Sequence, residues 1–157
     1  MTLRVEFHCH TSYSKDSLLA PETLVAACQR KGIDRVIITD HNQVEGALLA
    51  QQVAPQVVIP GEEIMTTRGE ILAAFVKERI PPYLEPEETI ARLRDQGAFV
   101  GVSHPFDSRR EGAWALPDLE KITPLVDALE VFNARCLGGE PNRLAGEYAL
   151  ARGLRGT

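Results

Sequence analysis

Short apolar, β-branched runs alternate along the chain with longer segments of helical period, the pattern of βα units built around a parallel sheet. The predicted strands are Leu3–His8, Arg35–Thr39, Val57–Ile64, Ile71–Val76, Ala98–Ser103 and Ala128–Phe132. The predicted helices are Pro21–Lys31, Gln43–Val53, Glu87–Gln96, Pro117–Leu125 and Pro141–Arg152. Pro21 and Pro117 fall in a first helical turn, where a missing N–H breaks no bond, and Gly32, Gly97 and Gly153 fall where helices end. The link between Val57–Ile64 and Ile71–Val76 is too short for a crossover helix, which predicts an antiparallel hairpin through Thr66–Gly69.

Composition narrows the class without changing that picture. The 157 residues, 44% apolar and 25% charged, make one ordinary globular domain and exclude disorder. No apolar run reaches the roughly 18–20 residues of a spanning helix, and Met1–Phe7 lacks the basic-then-apolar order of a leader, so the expected location is the cytoplasm, with no membrane partner. Cys9, Cys28 and Cys136 are odd in number and unrelated in spacing, which excludes a disulfide framework and a CxxC zinc motif. A net charge of -5 with no Lys/Arg block disfavours nucleic acid as a partner. Small anionic substrates stay open if a metal supplies positive charge.

Metal-competent residues recur directly after the predicted strands: His8 and His10, Asp40 and His41, Glu62 and Glu63, then His104. In parallel α/β architectures such ends share one rim, so residues distant in sequence meet there. The spacing of His8 and His10 points both imidazoles to one face of an extended backbone. Taken alone, this HxH reads equally well as a hydrogen-bonded pair. Asp16 lies in the loop after it, able to fold back as a carboxylate ligand or to serve only as a loop acid. Asp40 or Asn42, taken singly, reads as a helix cap. Of the neighbours Glu62 and Glu63, one reaches the site and the other faces solvent or supports it. All four histidines of the chain sit at these ends. Mixed His and carboxylate donors suit Zn, Mn or Fe.

These residues resemble the PHP (polymerase and histidinol phosphatase) family of metal-dependent phosphoesterases. FHCHTSYSKDS is similar to its first motif, GIDRVIITDHN to its second, IPGEEIMTT to the segment with the bridging glutamate, VSHP to the later histidine motif, and ALEVFNAR to the strand and turn that follow. The resemblance implies a distorted, TIM-like (β/α)7 barrel holding two or three divalent metal ions (Mn, Zn or Fe). It implies His8, His10, Asp16, His41, Glu63 and His104 as ligands, with Glu63 bridging and Asp40 supporting or ligating. Glu70 stands about where many members have a histidine, either as a carboxylate ligand or beside an absent ion; by itself it reads as an exposed hairpin acid. Asp40, His104 and Arg135 are the expected catalytic residues, and Arg135 is the best placed of Arg109, Arg110 and Arg135 to hold phosphate with a guanidinium fork.

The family's last motif, an Asp followed closely by a His, does not occur. Leu154–Thr157 reads as the beginning of the strand that would carry it. The expectation is therefore a single PHP domain over residues 1–157, C-terminally incomplete and lacking its last βα unit. Its unpaired edges would favour homo-oligomers or domain exchange. The implied activity is hydrolysis of a small phosphoester, a nucleotide or a sugar or alcohol phosphate, by a metal-activated water. The alternatives are a phosphodiesterase or exonuclease on nucleic acid ends, and a catalytically impaired metal-binding module with a structural or regulatory role.

Overall fold

A computed structural model describes residues 2–157. Its strands are β1 (Val5–Cys9), β2 (Arg35–Ile38), β3 (Val58–Met65), β4 (Glu70–Ala74), β5 (Phe99–Val102), β6 (Ala128–Leu129) and β7 (Arg155–Gly156). The helices are α1 (Pro21–Arg30), α2 (Glu45–Val53), α3 (Pro86–Asp95), α4 (Leu116–Ile122), prolonged by a 3-10 turn at Thr123–Leu125, and α5 (Glu140–Arg152). The strands form one sheet in chain order. Pairing is parallel from β1 to β3 and from β5 to β7, while β4 runs antiparallel to both its neighbours. That reversal is the predicted hairpin: Met65 and Glu70 close it, with Thr66 N–H donating to the Gly69 carbonyl at 2.9 Å. Among the described residues β1 and β7 do not pair, so the α/β barrel is a curled sheet with an open seam.

Alternation divides each strand between two environments. Val36, Ile38, Val58, Ile64, Val100 and Val102 are buried under the helices, against residues such as Ala47, Leu93 and Leu119. The other face is concave, and there Phe7 of β1 meets Phe99 of β5 with ring centroids 6.1 Å apart. The β1–β2 register slips between Glu6 and Cys9, so three steps on β1 match two on β2. A bulge of this kind re-aims a side chain. It allows consecutive Phe7 and His8 both to face the concave side, Phe7 toward Phe99 and His8 toward Glu63 at the rim.

Several boundaries differ from the pattern for local reasons. β4 stops at Ala74, two residues early, because Phe75 is left-handed (φ 64°). Asn42 is also left-handed (φ 55°), so α2 starts at Glu45 and Asn42 caps no helix. Only two residues of Ala128–Phe132 pair as a strand. Short as it is, β6 is fixed by Asp127, whose Oδ2 accepts from Val100 N–H at 2.8 Å and Arg94 Nη1 at 2.6 Å. No helix among the described residues is long and apolar enough to cross a membrane.

Gly61 on β3 lies where strands approach too closely for a side chain. A Cβ there would meet the Ala73 carbonyl at 2.5 Å and Ile37 Cγ2 at 2.6 Å. Gly146 in α5 faces open space. Gly61→Ala is therefore expected to lower unfolding stability by about 1–3 kcal/mol through overpacking, whereas Gly146→Ala should be neutral or raise it by about 0.5–1 kcal/mol. Urea unfolding of both variants measures this; equal effects would contradict the close approach.

Candidate metal centre

The rim at the C-terminal ends of β1, β2 and β5 gathers the four histidines around one carboxylate. Glu63 on β3 is 1% exposed. Its Oε2 lies 3.2 Å from His8 Nε2, 3.0 Å from His10 Nε2 and 3.2 Å from His41 Nδ1, and its Oε1 lies 3.2 Å from His104 Nε2. Ser103 Oγ donates to the same Oε1. The backbone arranges this convergence. β2 continues into a bridge between His41 and Glu63, with Asn42 N–H on the Glu63 carbonyl at 2.8 Å. Ser14 Oγ accepts from His41 N–H at 2.8 Å.

The remaining expected donors sit around that core. Asp16 accepts from His10 Nδ1 at 2.9 Å and lies 4.0 Å from His41 Nε2, but it also takes Arg135 Nη1 at 2.7 Å. Glu70 is 4% exposed and so is no exposed hairpin acid; it lies 3.3 Å from His41 Nδ1 and 3.2 Å from His104 Nε2. Gly112 makes its burial feasible, since any Cβ there would strike the Glu70 carboxylate. Asp40 stands apart from these donors. Fully buried, it accepts from Thr11 N–H at 2.6 Å and Thr11 Oγ1 at 2.7 Å, which anchors the loop after His10. Glu62 does not face solvent: it is completely buried on the opposite side of β3, accepting from Ile80 N–H at 3.0 Å. Arg135 is exposed at the rim, and Arg109 Nη1 turns away to the Leu137 carbonyl.

Charges in the cluster hold one another. Burial opposes a positive His8, yet attraction to Glu63 and the hydrogen bond to Glu130 raise it to about 10. Burial likewise opposes His104, and Glu63 and Glu70 raise it to about 9. His41 is raised against its burial by Glu70 and Glu63. Glu63 is driven well below the usual carboxylate range, burial notwithstanding, by His8, His10 and His104. Glu62, with no such partners, is pushed up by burial to about 7.

The geometry fits a metal. Glu63 Oε2 is buried and makes no hydrogen bond among the described residues. His8 Nε2 and His10 Nε2 are 3.0 Å apart, two ring nitrogens facing each other. Ligand atoms bound at about 2.0–2.2 Å to one ion lie roughly 3.0–3.5 Å apart, and the spacings above match. Three overlapping groups each bring their donor atoms within 4.8 Å of one another: His8, His10 and Glu63; His10, Asp16 and His41; His41, Glu63 and Glu70. Glu63 is common to two of them. His104 touches both Glu63 and Glu70 without belonging to a set.

Two residues of this shell escaped the sequence reading. Glu130, just beyond β6, accepts from His8 Nδ1 at 2.8 Å and from His104 N–H at 2.7 Å. Ser103 directly precedes His104. Both lie at a strand end, the same signal that marks Glu63. Glu63→Gln is expected to weaken metal binding by roughly 10–100-fold, while Glu62→Gln leaves it unchanged, as measured by metal content after dialysis against buffers of fixed free metal. Equal losses would show that the wrong carboxylate has been placed at the centre.

Residues 6–81 match the PHP domain. The uncharacterized protein MJ1587 of Methanocaldococcus jannaschii is 37% identical over 158 residues, covering 91% of this chain and 89% of its own. A Bifidobacterium adolescentis protein assigned to the metal-dependent phosphoesterases superposes with a TM-score of 0.78 at 18% identity, over 100% of this chain and 86% of its own. A two-domain protein of Bacteroides vulgatus containing a predicted PHP-like metal-dependent phosphoesterase gives 0.79 at 22%, over 99% and 50%. At those identities the two structures speak for the fold alone. The strand-end motifs, the curled seven-stranded sheet and the match across the first half converge on one assignment: the chain belongs to the PHP domain family.

Proposed function

We propose that the chain is a metal-dependent phosphoesterase acting on a small phosphorylated molecule, with two or three divalent ions held by His8, His10, Asp16, His41, Glu63, Glu70 and His104. The observation that carries this reading is Glu63 Oε2, facing three histidine nitrogens at 3.0–3.2 Å with no hydrogen bond of its own among the described residues. Bound ions of the Zn, Mn or Fe type supply Lewis acidity and a water acidic enough to attack at neutral pH. No side-chain nucleophile is then required.

The chain's own residues would do the rest. Two clefts flank the cluster, one of about 740 Å3 and one of about 410 Å3, sizes that suit a small ligand. Lys15, Arg79 and Arg110 line the larger, and Arg110 and Arg135 the smaller. Arg110 borders both, so a phosphoryl group over the cluster would meet a guanidinium from either side. Arg135 already bonds the Asp16 carboxylate at 2.7 Å. It is suited to hold Asp16 over the centre as well as to face an incoming anion, since a guanidinium carries donors enough for both.

Substrate size follows from charge and shape. The net charge of -5 and the acids Glu45, Glu70 and Glu111 along the larger cleft oppose a polyanionic strand while leaving room for one phosphoryl group. The chain reconstituted with Mn, Zn or Fe is expected to hydrolyse an aryl phosphate and small phosphomonoesters faster than a single-stranded oligonucleotide, and to lose this activity to a chelator. Phosphate release across such a panel tests it. Absence of turnover with every metal would sink the enzymatic reading, and a preference for the oligonucleotide would sink the small-substrate one.

A further inference from the structure

The ligand histidines differ in what aims their rings. His10 has Asp16 on Nδ1, but the Nδ1 of His104 is buried with no partner among the described residues. Among the described residues its polar partners are Glu63 and Glu70, on the ligand side, and its ring stacks on that of His8 with centroids 6.1 Å apart. Its placement therefore depends on its backbone, which sits at φ 21°, a conformation L residues rarely adopt. Residues in such regions persist only where their surroundings over-determine them.

One side chain does this for His104 and for His8 together. Glu130 is 5% exposed. Its Oε2 accepts the His104 N–H at 2.7 Å, and its Oε1 accepts from His8 Nδ1 at 2.8 Å and from Asn133 Nδ2 at 3.1 Å. Asn133 is fixed in turn: Asn142 Oδ1 accepts its N–H at 3.0 Å, and its carbonyl accepts from Asn142 Nδ2 at 3.1 Å. An ionised carboxylate only accepts. The hydrogen of a neutral His8 must then be on Nδ1, which leaves the Nε2 lone pair directed at Glu63 and His10.

We propose that Glu130 is the positioning residue of the centre, selecting the Nδ1–H tautomer of His8 and clamping the strained backbone that presents His104. The inference rests on the metal reading of the cluster and goes beyond it, since Glu130 belongs to none of the donor sets. It explains why the carboxylate is buried at the end of a two-residue strand, where it holds two ligands brought from β1 and β5. A carboxamide of the same shape cannot replace it. With its oxygen on the His104 N–H, its NH2 opposes Asn133 Nδ2 and forces His8 to accept; with the oxygen on His8, its NH2 opposes the His104 N–H.

The test uses the full chain loaded with zinc, a diamagnetic probe. Long-range 1H–15N spectra report the tautomer of each histidine, with His8 assigned by the signals lost in His8→Gln. The wild-type chain should show His8 protonated at Nδ1 with Nε2 on the metal. Glu130→Gln should bind zinc roughly 10–100-fold more weakly and shift or lose the His8 Nδ1–H signal, with its far-ultraviolet circular dichroism retained. Wild-type affinity and an unchanged His8 signal in Glu130→Gln would overturn the proposal. So would an Nε2–H tautomer in the wild-type chain, a result that stands even if the variant does not fold. A wild-type chain that takes up no zinc would overturn the metal reading itself, a separate failure.

Discussion

A buried carboxylate ringed by imidazoles is the constraint around which the rest of this molecule is arranged. Glu63 cannot keep its charge in a site 1% exposed unless positive charge lies against it. Three strands supply the partners, His8 near the end of β1 and His10 just after it, His41 after β2 and His104 after β5, while Glu63 itself lies on β3. Removing one partner leaves the others' charge unmatched, so the group stands or falls together. Either protons or metal ions can provide the compensation. The facing nitrogens of His8 and His10, 3.0 Å apart, suit an ion better than two protons, because two imidazolium N–H groups would point at each other.

The fold serves that requirement through irregularities rather than through its regular parts. The bulge in β1 turns Phe7 and His8 to one face. The reversed strand β4 brings Glu70 beside His104 and His41 from the hairpin side. Left-handed Asn42 sends its N–H to the Glu63 carbonyl and its side-chain oxygen to Met65 N–H at 2.8 Å, stitching β2 to β3 at the rim. The helices packed on the convex side back the sheet that carries all three.

The order of strands and the group His8, His10, His41, Glu63 and His104 were legible in the sequence because both depend on local pattern: an apolar run, then a donor where the run ends. The reversal of β4 was legible too, from loop length. What was not legible depends on contacts across the chain. Glu130 meets His8 from 122 residues away, and no spacing rule encodes that. Glu62 and Glu63 look equivalent in sequence, and only the pairing register decides that one faces the histidines and the other the Ile80 loop. Asn42 has the composition of a cap but is pulled into a left-handed turn by its three hydrogen bonds, the third from Arg79 Nε to its carbonyl at 2.6 Å. For Asn42, tertiary hydrogen bonding overrode a local preference for capping.

The protons expelled when metal enters report directly on how the buried Glu63 charge is compensated. His8 is raised to about 10 and His104 to about 9, so at neutral pH, below both values, each ring carries a proton that coordination must displace. Calorimetric titration of the metal-free chain with zinc, repeated in two buffers of different ionisation enthalpy, gives the number released. Two or more protons per chain are expected. Binding with no proton release, or no binding at all, would contradict this.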